Sequence, residues 1–141
     1  MPLDFDIFPD SEYLAIRILK DAVTAGFFTP LTPRIDTKLP PDPVWASGLV
    51  LVTRIGGIPK EEHRLDNPNL QIDTWSDDKK TSHDLAQLAR VALHRVKGSV
   101  FTTPPAVLTD VKDSLGIHYQ WDSLNLKPRY VLGVYFTVHK P

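Results

Sequence analysis

The 141-residue sequence contains no cysteine. That single absence excludes disulfides, thiolate zinc sites, iron–sulfur clusters and a cysteine nucleophile, and it fits a reducing compartment. The sequence also lacks any apolar run near the ~20 residues that a membrane helix needs, so we expect no membrane partner. Its first ten residues, MPLDFDIFPD, contain acids and no basic segment, which is not typical of a secretory signal peptide.

The sequence also has no excess of positive or of negative charge. Lysine and arginine total 16 against 17 acids, for a formal net charge of −1. A protein that binds nucleic acid through many phosphates is usually basic, so non-specific nucleic-acid binding is not expected. The length suits one domain over residues 1–141, and such a chain buries about 68–70% of its unfolded surface without needing a metal.

The first predicted element is an amphipathic helix. Asp10 or Ser11 can cap its start, and Gly26 suits the left-handed position just past its end. Apolar residues recur at three- and four-residue spacing, which gives the helix one buried stripe. These residues are Leu14, Ala15, Ile18, Leu19, Ala22 and Val23.

A second amphipathic helix is predicted to begin near residues 76–78, with Ser76 as its cap. A capping box starting at Thr81 is the alternative, and Gly98 ends the helix in either case. Its predicted buried stripe consists of Leu85, Leu88, Ala89, Ala92 and Val96.

Five segments have the composition and alternation of β-strands. They are residues 34–39, 47–55, 69–75, 107–121 and 130–138. In the fourth segment the apolar residues occupy odd positions over about fifteen residues. Because most strands have only about five or six residues, a bulge near Gly116 is expected. Together these elements predict an α+β domain: a largely antiparallel or mixed sheet of about five strands with two α-helices packed on one face.

Candidate catalytic residues do not converge. Ser82, His83 and Asp84 are adjacent on the second helix and therefore point about 100° apart, which makes a helix-start cluster the better interpretation. The stretch GGIPK at 56–60 lacks the spacing of a phosphate-binding loop, so it is interpreted as a turn. We predict no enzyme and no cofactor.

The five histidines give little evidence of a metal site. His83 and His94 lie roughly 16 Å apart along the second helix, too far to share an ion. With Gln87 and Arg90 they form a polar stripe, which we interpret as a solvated or inter-subunit helix face. His118 and His139 become neighbours only if the final hairpin brings them into register, and no acid partner is evident.

A charged loop between two predicted strands is the most unusual feature. Residues 56–68 form an arm that could reach ~20 Å from the sheet. A mobile surface loop is one interpretation. The other is an arm that docks on another subunit, where mixed charges set partner choice. The candidate contact residues are Arg54, Gly56, Gly57, Lys60, Glu61, Glu62, His63, Arg64 and Asp66.

Several stretches resemble tail terminator proteins of long-tailed bacteriophages, particularly those that infect actinobacteria such as mycobacteria. They are FPDSEYLAIRILKDAV (8–23), VTRIGG (52–57), RLD (64–66), NLQIDTWS (69–76), HDLAQLARVALH (83–94) and SLGIHYQWDSLNLKPRYVLGVYFTVH (114–139). The most specific part is the pairing of R-x-G-G with a later D-x-W run that enters a helix.

The resemblance implies a structural virion protein with an α+β fold. Such proteins form a ring, typically of six copies, at the head-proximal end of the tail tube. The ring stops tube polymerisation and presents a surface to the head–tail connector proteins, and DNA crosses its lumen without sequence-specific binding. The protein would assemble in the host cytoplasm and reside in the tail or neck of the virion.

Other functions remain open from the sequence. The nearest are another neck protein, such as a head–tail connector or stopper, and a tail-tube protein. Alternatives from other classes are a small metal-dependent hydrolase that uses His118, His139 and nearby acids, and a soluble monomeric binding module.

Overall fold

The computed structural model describes residues 8–59 and 64–141. Within these residues the chain forms two α-helices, a short 3-10 helix and six β-strands. In chain order they are α1 (Ser11–Thr24), β1 (Arg34–Asp36), the 3-10 helix (Trp45–Ser47), β2 (Leu49–Gly56), β3 (Asn69–Trp75), α2 (Lys79–His94), β4 (Val100–Thr102), β5 (Pro105–Tyr119) and β6 (Arg129–His139). Neither helix is long and apolar enough to cross a membrane.

The six strands of the described chain form one mixed sheet in the order β1-β2-β3-β6-β5-β4. β1 pairs with β2 in parallel, and the other neighbours are antiparallel. The predicted α+β class is confirmed, with six strands rather than about five. The additional strand is β4, whose three residues are too few to show an alternation pattern.

Both helices pack on the same face of the sheet, as predicted. Alternate residues of the central strands face them, and this layer forms the main core. The strand residues of this layer include Val50, Val52, Leu70, Ile72, Leu132, Val134, Phe136 and Val138. The helix-free face has a smaller buried cluster of Leu49, Leu51 and Trp75, with Trp45 packed against it.

Capping fixes the start of both helices, in one case at a residue other than the predicted one. Asp10 accepts a hydrogen bond from the backbone N–H of Tyr13, which confirms it as the cap of α1. The cap of α2 is Asp78, which accepts from Thr81 N, so the prediction of Ser76 was wrong. The Ser76 hydroxyl is 2.9 Å from the buried Ser82 hydroxyl, an interaction that depends on tertiary structure.

β5 departs from regular alternation at three places. Its pairing with β6 shifts between Leu108 and Asp110, between Asp113 and Leu115, and between Leu115 and His118. The last shift confirms the bulge expected near Gly116. The first makes the predicted odd-numbered apolar face wrong at the start of the strand, since Leu108 is fully buried.

The two opposite ends of the sheet carry different loops. At the end called here the charged end, Gly56 of β2 pairs with Asn69 of β3. At the other end, called the hairpin end, Trp75 of β3 pairs with both Leu49 and Arg129. The loop after β2 leaves from the charged end, and the loop that joins β5 to β6 leaves from the hairpin end.

Candidate functional site

A bidentate ion pair closes the base of the charged loop. Arg54 Nη1 and Nη2 donate to the two carboxylate oxygens of Asp66 at 2.7 and 2.9 Å. The same guanidinium donates to the carbonyls of Gly56 and Gly57, at 3.2 and 3.1 Å. Arg54 therefore binds both chain segments that form the base of the loop, and only an arginine has the donors for this geometry.

Asp66 is buried, with 1% of its surface exposed, and β6 holds its backbone. Its N–H donates to Val138 O at 2.8 Å, and Val138 N donates to Asp66 O at 2.9 Å. Gly57 has a φ of +95°, and a Cβ there would clash with the carbonyl oxygen of Asn67. The two segments approach so closely that only glycine fits this position.

The first turn of α1 joins the same site. Glu12 Oε2 accepts a hydrogen bond of 2.7 Å from the backbone N–H of Arg54. This bond occupies an outward-facing donor of β2 beyond its pairing with β1, and it ties the helix to the base of the loop. A cavity of about 480 Å³ lies between the start of α1 and the base of the charged loop. Its lining residues are Phe8, Pro9, Asp10, Ser11, Glu12, Arg54, Pro59 and Asp66.

The cavity is acidic, and one buried hydroxyl that lines it lacks a hydrogen-bond partner among the described residues. Three carboxylates and one guanidinium line it. Ser11 is 3% exposed, and its hydroxyl has no hydrogen-bond partner within residues 8–59 and 64–141. A buried hydroxyl without a partner costs about 1–3 kcal/mol.

The candidate loop residues fall into three groups. Arg54, Gly56, Gly57 and Asp66 meet at the base described above. Arg64 is exposed. The predictions for Lys60, Glu61, Glu62 and His63 lie outside the described residues, so the proposed contact role of the loop remains a prediction.

The candidate polar face of α2 is largely engaged within its own chain. Arg90 Nη2 and Nε bind Asp113 of β5 at 2.6 and 3.0 Å, and His94 Nε2 lies 2.8 Å from the same carboxylate. The hydrogen bond from Arg90 is the main reason that the pKa of Asp113 is lowered. The His83 ring packs edge-on against Tyr130 at 5.1 Å. Gln87 is the exposed member of the four, and the role of this face between subunits stays a prediction.

The hairpin register separates the two strand histidines. His118 pairs with Val131, whereas His139 pairs with Val107. The two positions lie eleven residues apart along β5, or roughly 35 Å, so the idea that they become neighbours is wrong. Within the described parts of the chain no group of three His, Asp or Glu side chains is placed to hold a metal ion.

A second organised loop lies at the hairpin end, and the sequence showed it only as a loop. Asp122 is 7% exposed and accepts four hydrogen bonds through its side chain. They come from Trp75 Nε1 (2.9 Å), Leu124 N (3.0 Å), Asn125 N (3.2 Å) and Asn125 Nδ2 (2.7 Å). An aspartate followed by Ser-Leu-Asn is a local turn signal, but the bond from Trp75 comes from 47 residues away and has no local signal.

The charged form of Asp122 is favoured in the fold. Burial alone would raise its pKa, but the hydrogen bonds from Asn125, Trp75 and Leu124 outweigh burial and lower the pKa. All of these donors are neutral. The carboxylate therefore organises this loop without a cation.

Contacts with the start of α2 hold the loop in place. Lys127 Nζ binds Asp77 at 2.7 Å, and Ser82 Oγ donates to Pro128 O at 2.9 Å. The ammonium of Lys79 lies 4.3 Å from the centre of the Tyr119 ring. The loop is therefore attached to both the sheet and the helix layer.

Two large aliphatic side chains of this loop face solvent. Leu124 is 92% exposed and Leu126 is 67% exposed. Leu126 has a φ of +55°, a left-handed conformation that branched aliphatic residues rarely adopt. Leu124 and Leu126 are called the leucine tip below.

Comparison with protein-family models and with curated proteins finds no match. Among solved structures, the gp17 protein of bacteriophage SPP1 is similar to this chain, with 17% sequence identity and a TM-score of 0.45. The match covers 88% of this chain and 91% of that chain.

Proposed function

We propose that this protein is a tail terminator, a structural virion protein that forms a ring at the head-proximal end of a phage tail tube. Support comes from the resemblance along nearly the whole sequence and from the α+β fold that this resemblance implies. In this role the protein has no catalytic function and needs no cofactor.

The observation that carries the proposal is the difference between the two ends of the sheet. A terminator has to contact the tube on one side, the head–tail connector on the other, and neighbouring copies around the ring. Such a subunit needs several unlike surfaces. This chain has an ion-paired, acidic surface at the charged end, whereas the hairpin end displays two exposed leucines on a hydrogen-bonded loop. Each surface is held in shape by a buried aspartate.

The charge balance fits a passage for DNA. Each phosphate that a protein neutralises strengthens retention of the nucleic acid. A subunit with a net charge of −1 adds no excess of positive charge to a ring, so DNA could cross the lumen without being held. The ring, typically of six copies, would use a head-to-tail contact between unlike surfaces of adjacent copies.

The test is to remove the protein from a phage that encodes it and to image the tails by electron microscopy. Loss of a terminator leaves overlong tails without heads, because tube polymerisation has no stop. Loss of a connector or stopper leaves tails of normal length that fail to join heads, and loss of a tube protein leaves no tails. Either of these last two outcomes would replace the proposed function by the corresponding alternative.

A further inference from the structure

We propose that the leucine tip of one copy seats in a groove at the opposite edge of the sheet in the next copy. The groove is formed by the proline-rich segment before β2. This inference rests on the proposed function, since it names the contact that would close the ring. The partner is a second copy of this chain.

The leucine tip has the properties of a docking anchor. Singly exposed aliphatic residues are common on protein surfaces and need no explanation. Here two of them lie in the nine-residue loop between β5 and β6 (residues 120–128), which also holds a buried carboxylate with four hydrogen bonds. Trp121 and Tyr119, 49% and 41% exposed, extend the apolar surface.

Rigidity makes this display useful for binding. Leu126 N donates to Asp122 O at 2.8 Å, and Asp122 N donates to Lys127 O at 3.2 Å. The left-handed backbone of Leu126 costs about 1 kcal/mol or more relative to an ordinary conformation. A loop that keeps a leucine in this conformation and in water loses little further entropy when a partner covers it.

The receiving groove has a volume of about 220 Å³ and lies beside the first residues of β1 and β2. Apolar side chains form much of its lining, and Val44 at its rim is 68% exposed. Its lining residues are Thr32, Arg34, Pro40, Asp42, Pro43, Val44, Ser47, Gly48 and Leu49. Prolines lose little entropy on binding, so the groove is also preformed.

The positions of the two surfaces fit a closed ring. Both lie at the hairpin end of the sheet, because Leu49, Trp75 and Arg129 are in register there. They lie on opposite edges, since β1 is one edge strand and β5 pairs with the short β4 only over Pro105–Val107. A convex surface on one edge and a concave surface on the other is the arrangement that a head-to-tail contact requires.

Charge does not oppose the contact. Lys127 beside the tip is already paired with Asp77, and the Asp122 carboxylate is buried beneath it. In the groove, Arg34 pairs with Asp36 at 3.4 Å. Asp42 is exposed in the groove and the Lys79 ammonium lies over Tyr119 beside the tip, so these two charges are of opposite sign, while the leucines, Val44 and the prolines supply the apolar contact.

The absence of native cysteine allows a direct test by cross-linking. Leu124→Cys and Val44→Cys are made in separate full-length chains and mixed with a short bis-maleimide. We expect a covalent dimer in the mixture and little product from either variant alone. Product from Leu124→Cys alone would mean that two tips meet each other, which overturns the head-to-tail contact. Absence of product in the mixture at high protein concentration would overturn it as well.

Affinity gives a second readout. Leu124→Asn with Leu126→Asn removes the apolar tip, and asparagine tolerates the backbone of residue 126. We expect at least about a tenfold weaker self-association by analytical ultracentrifugation. Val100→Asn is the matched control, because Val100 is 67% exposed on β4, away from the tip and outside the charged loop. Equal effects of the two variants would mean that the tip has no special role.

These outcomes are separable from those of the proposed function. If the unaltered protein forms rings but the mixed cysteine variants give no 44–124 cross-link, the terminator role stands and only this contact is overturned. A 44–124 cross-link between the purified variants, together with tails of normal length in phage that lack the protein, would support the contact and overturn the terminator role.

Discussion

The two ends of the sheet are each organised by a buried aspartate, but the two carboxylates are stabilised by different partners. Asp66 at the charged end binds a guanidinium. Asp122 at the hairpin end binds four neutral N–H donors. A cation needs space and some solvent, and Arg54 keeps 34% of its side chain exposed. The neutral donors, three from the loop and the indole of Trp75, need neither, so the loop can keep Asp122 buried and display its two leucines.

The largest expected effect is at the charged end. Arg54→Met removes the guanidinium and leaves the Asp66 carboxylate buried without its partner. We expect a loss of about 3 kcal/mol in the free energy of unfolding, measured by urea denaturation. Adding Asp66→Leu to this variant should restore part of the loss, because it removes the unpaired charge. A double variant that is less stable than Arg54→Met would contradict this account of the pair.

The second effect is at the hairpin end. Asp122→Ala leaves the indole N–H of Trp75 and the loop amides without an acceptor, so we expect a loss of about 2 kcal/mol. The loop should also become susceptible to proteolysis, which we would measure at Leu124 and Leu126. Arg54→Met should leave this loop resistant under native conditions. If both variants open it equally, the two ends are not independent.

The same aspartate has a pH dependence of predictable sign. Because the folded pKa of Asp122 is lowered from 3.8, its stabilising contribution is present above that value. It is lost as the pH falls through the lower, folded pKa. The stability difference between the unaltered protein and Asp122→Ala should therefore shrink in acid.

The sequence predicted what local chemistry determines. Asp10 caps α1 because its side chain reaches an N–H three residues away, and Leu132, Val134, Phe136 and Val138 of the predicted strand 130–138 are buried because side chains alternate along a strand. Both features involve only neighbouring residues.

The missed features depend on distant partners. Asp122 is organised by Trp75, 47 residues away, and Ser76, the predicted cap of α2, bonds to Asp78 and Ser82 while Asp78 serves as the cap. The two earlier register shifts of β5, at Leu108/Asp110 and Asp113/Leu115, depend on its pairing with β6, whereas the shift near Gly116 was predicted. The candidate site was predicted only in part. The sequence around Arg54 and Asp66 indicated a charged loop, but it could not show that these two residues form an ion pair, because that contact depends on the tertiary structure.

A third aspartate, Asp113, forms an ion pair that is not buried, so it separates the effect of burial on stability from the effect of ion pairing. Asp113 also accepts two hydrogen bonds from one guanidinium, that of Arg90, but its partners Arg90 and His94 are both partly exposed. Solvent screens such pairs, so Asp113→Asn should cost under about 1 kcal/mol at neutral pH. Because the pKa of Asp113 is lowered, this difference should disappear as the pH falls below 3.8. A loss as large as that of Arg54→Met would mean that burial is not what distinguishes the charged end.

The smallest predicted change has the opposite sign. Asp73, on the helix-free face of β3, has a pKa raised from 3.8 by burial, which the nearby Arg129 and the hydrogen bond from Gln71 only partly offset. A raised folded pKa means that the charged form destabilises the fold, and that stability falls as the pH rises from about 3.8 through the folded pKa. Asp73→Asn keeps an acceptor for Gln71 and should raise the free energy of unfolding at neutral pH by roughly 0.5 kcal/mol. Thermal denaturation at pH 7 and pH 3.5 measures this gain, which should vanish at the lower pH. A loss of stability in Asp73→Asn at pH 7 would show that Arg129 and Gln71 offset the cost of burying the charge, as Arg54 does for Asp66.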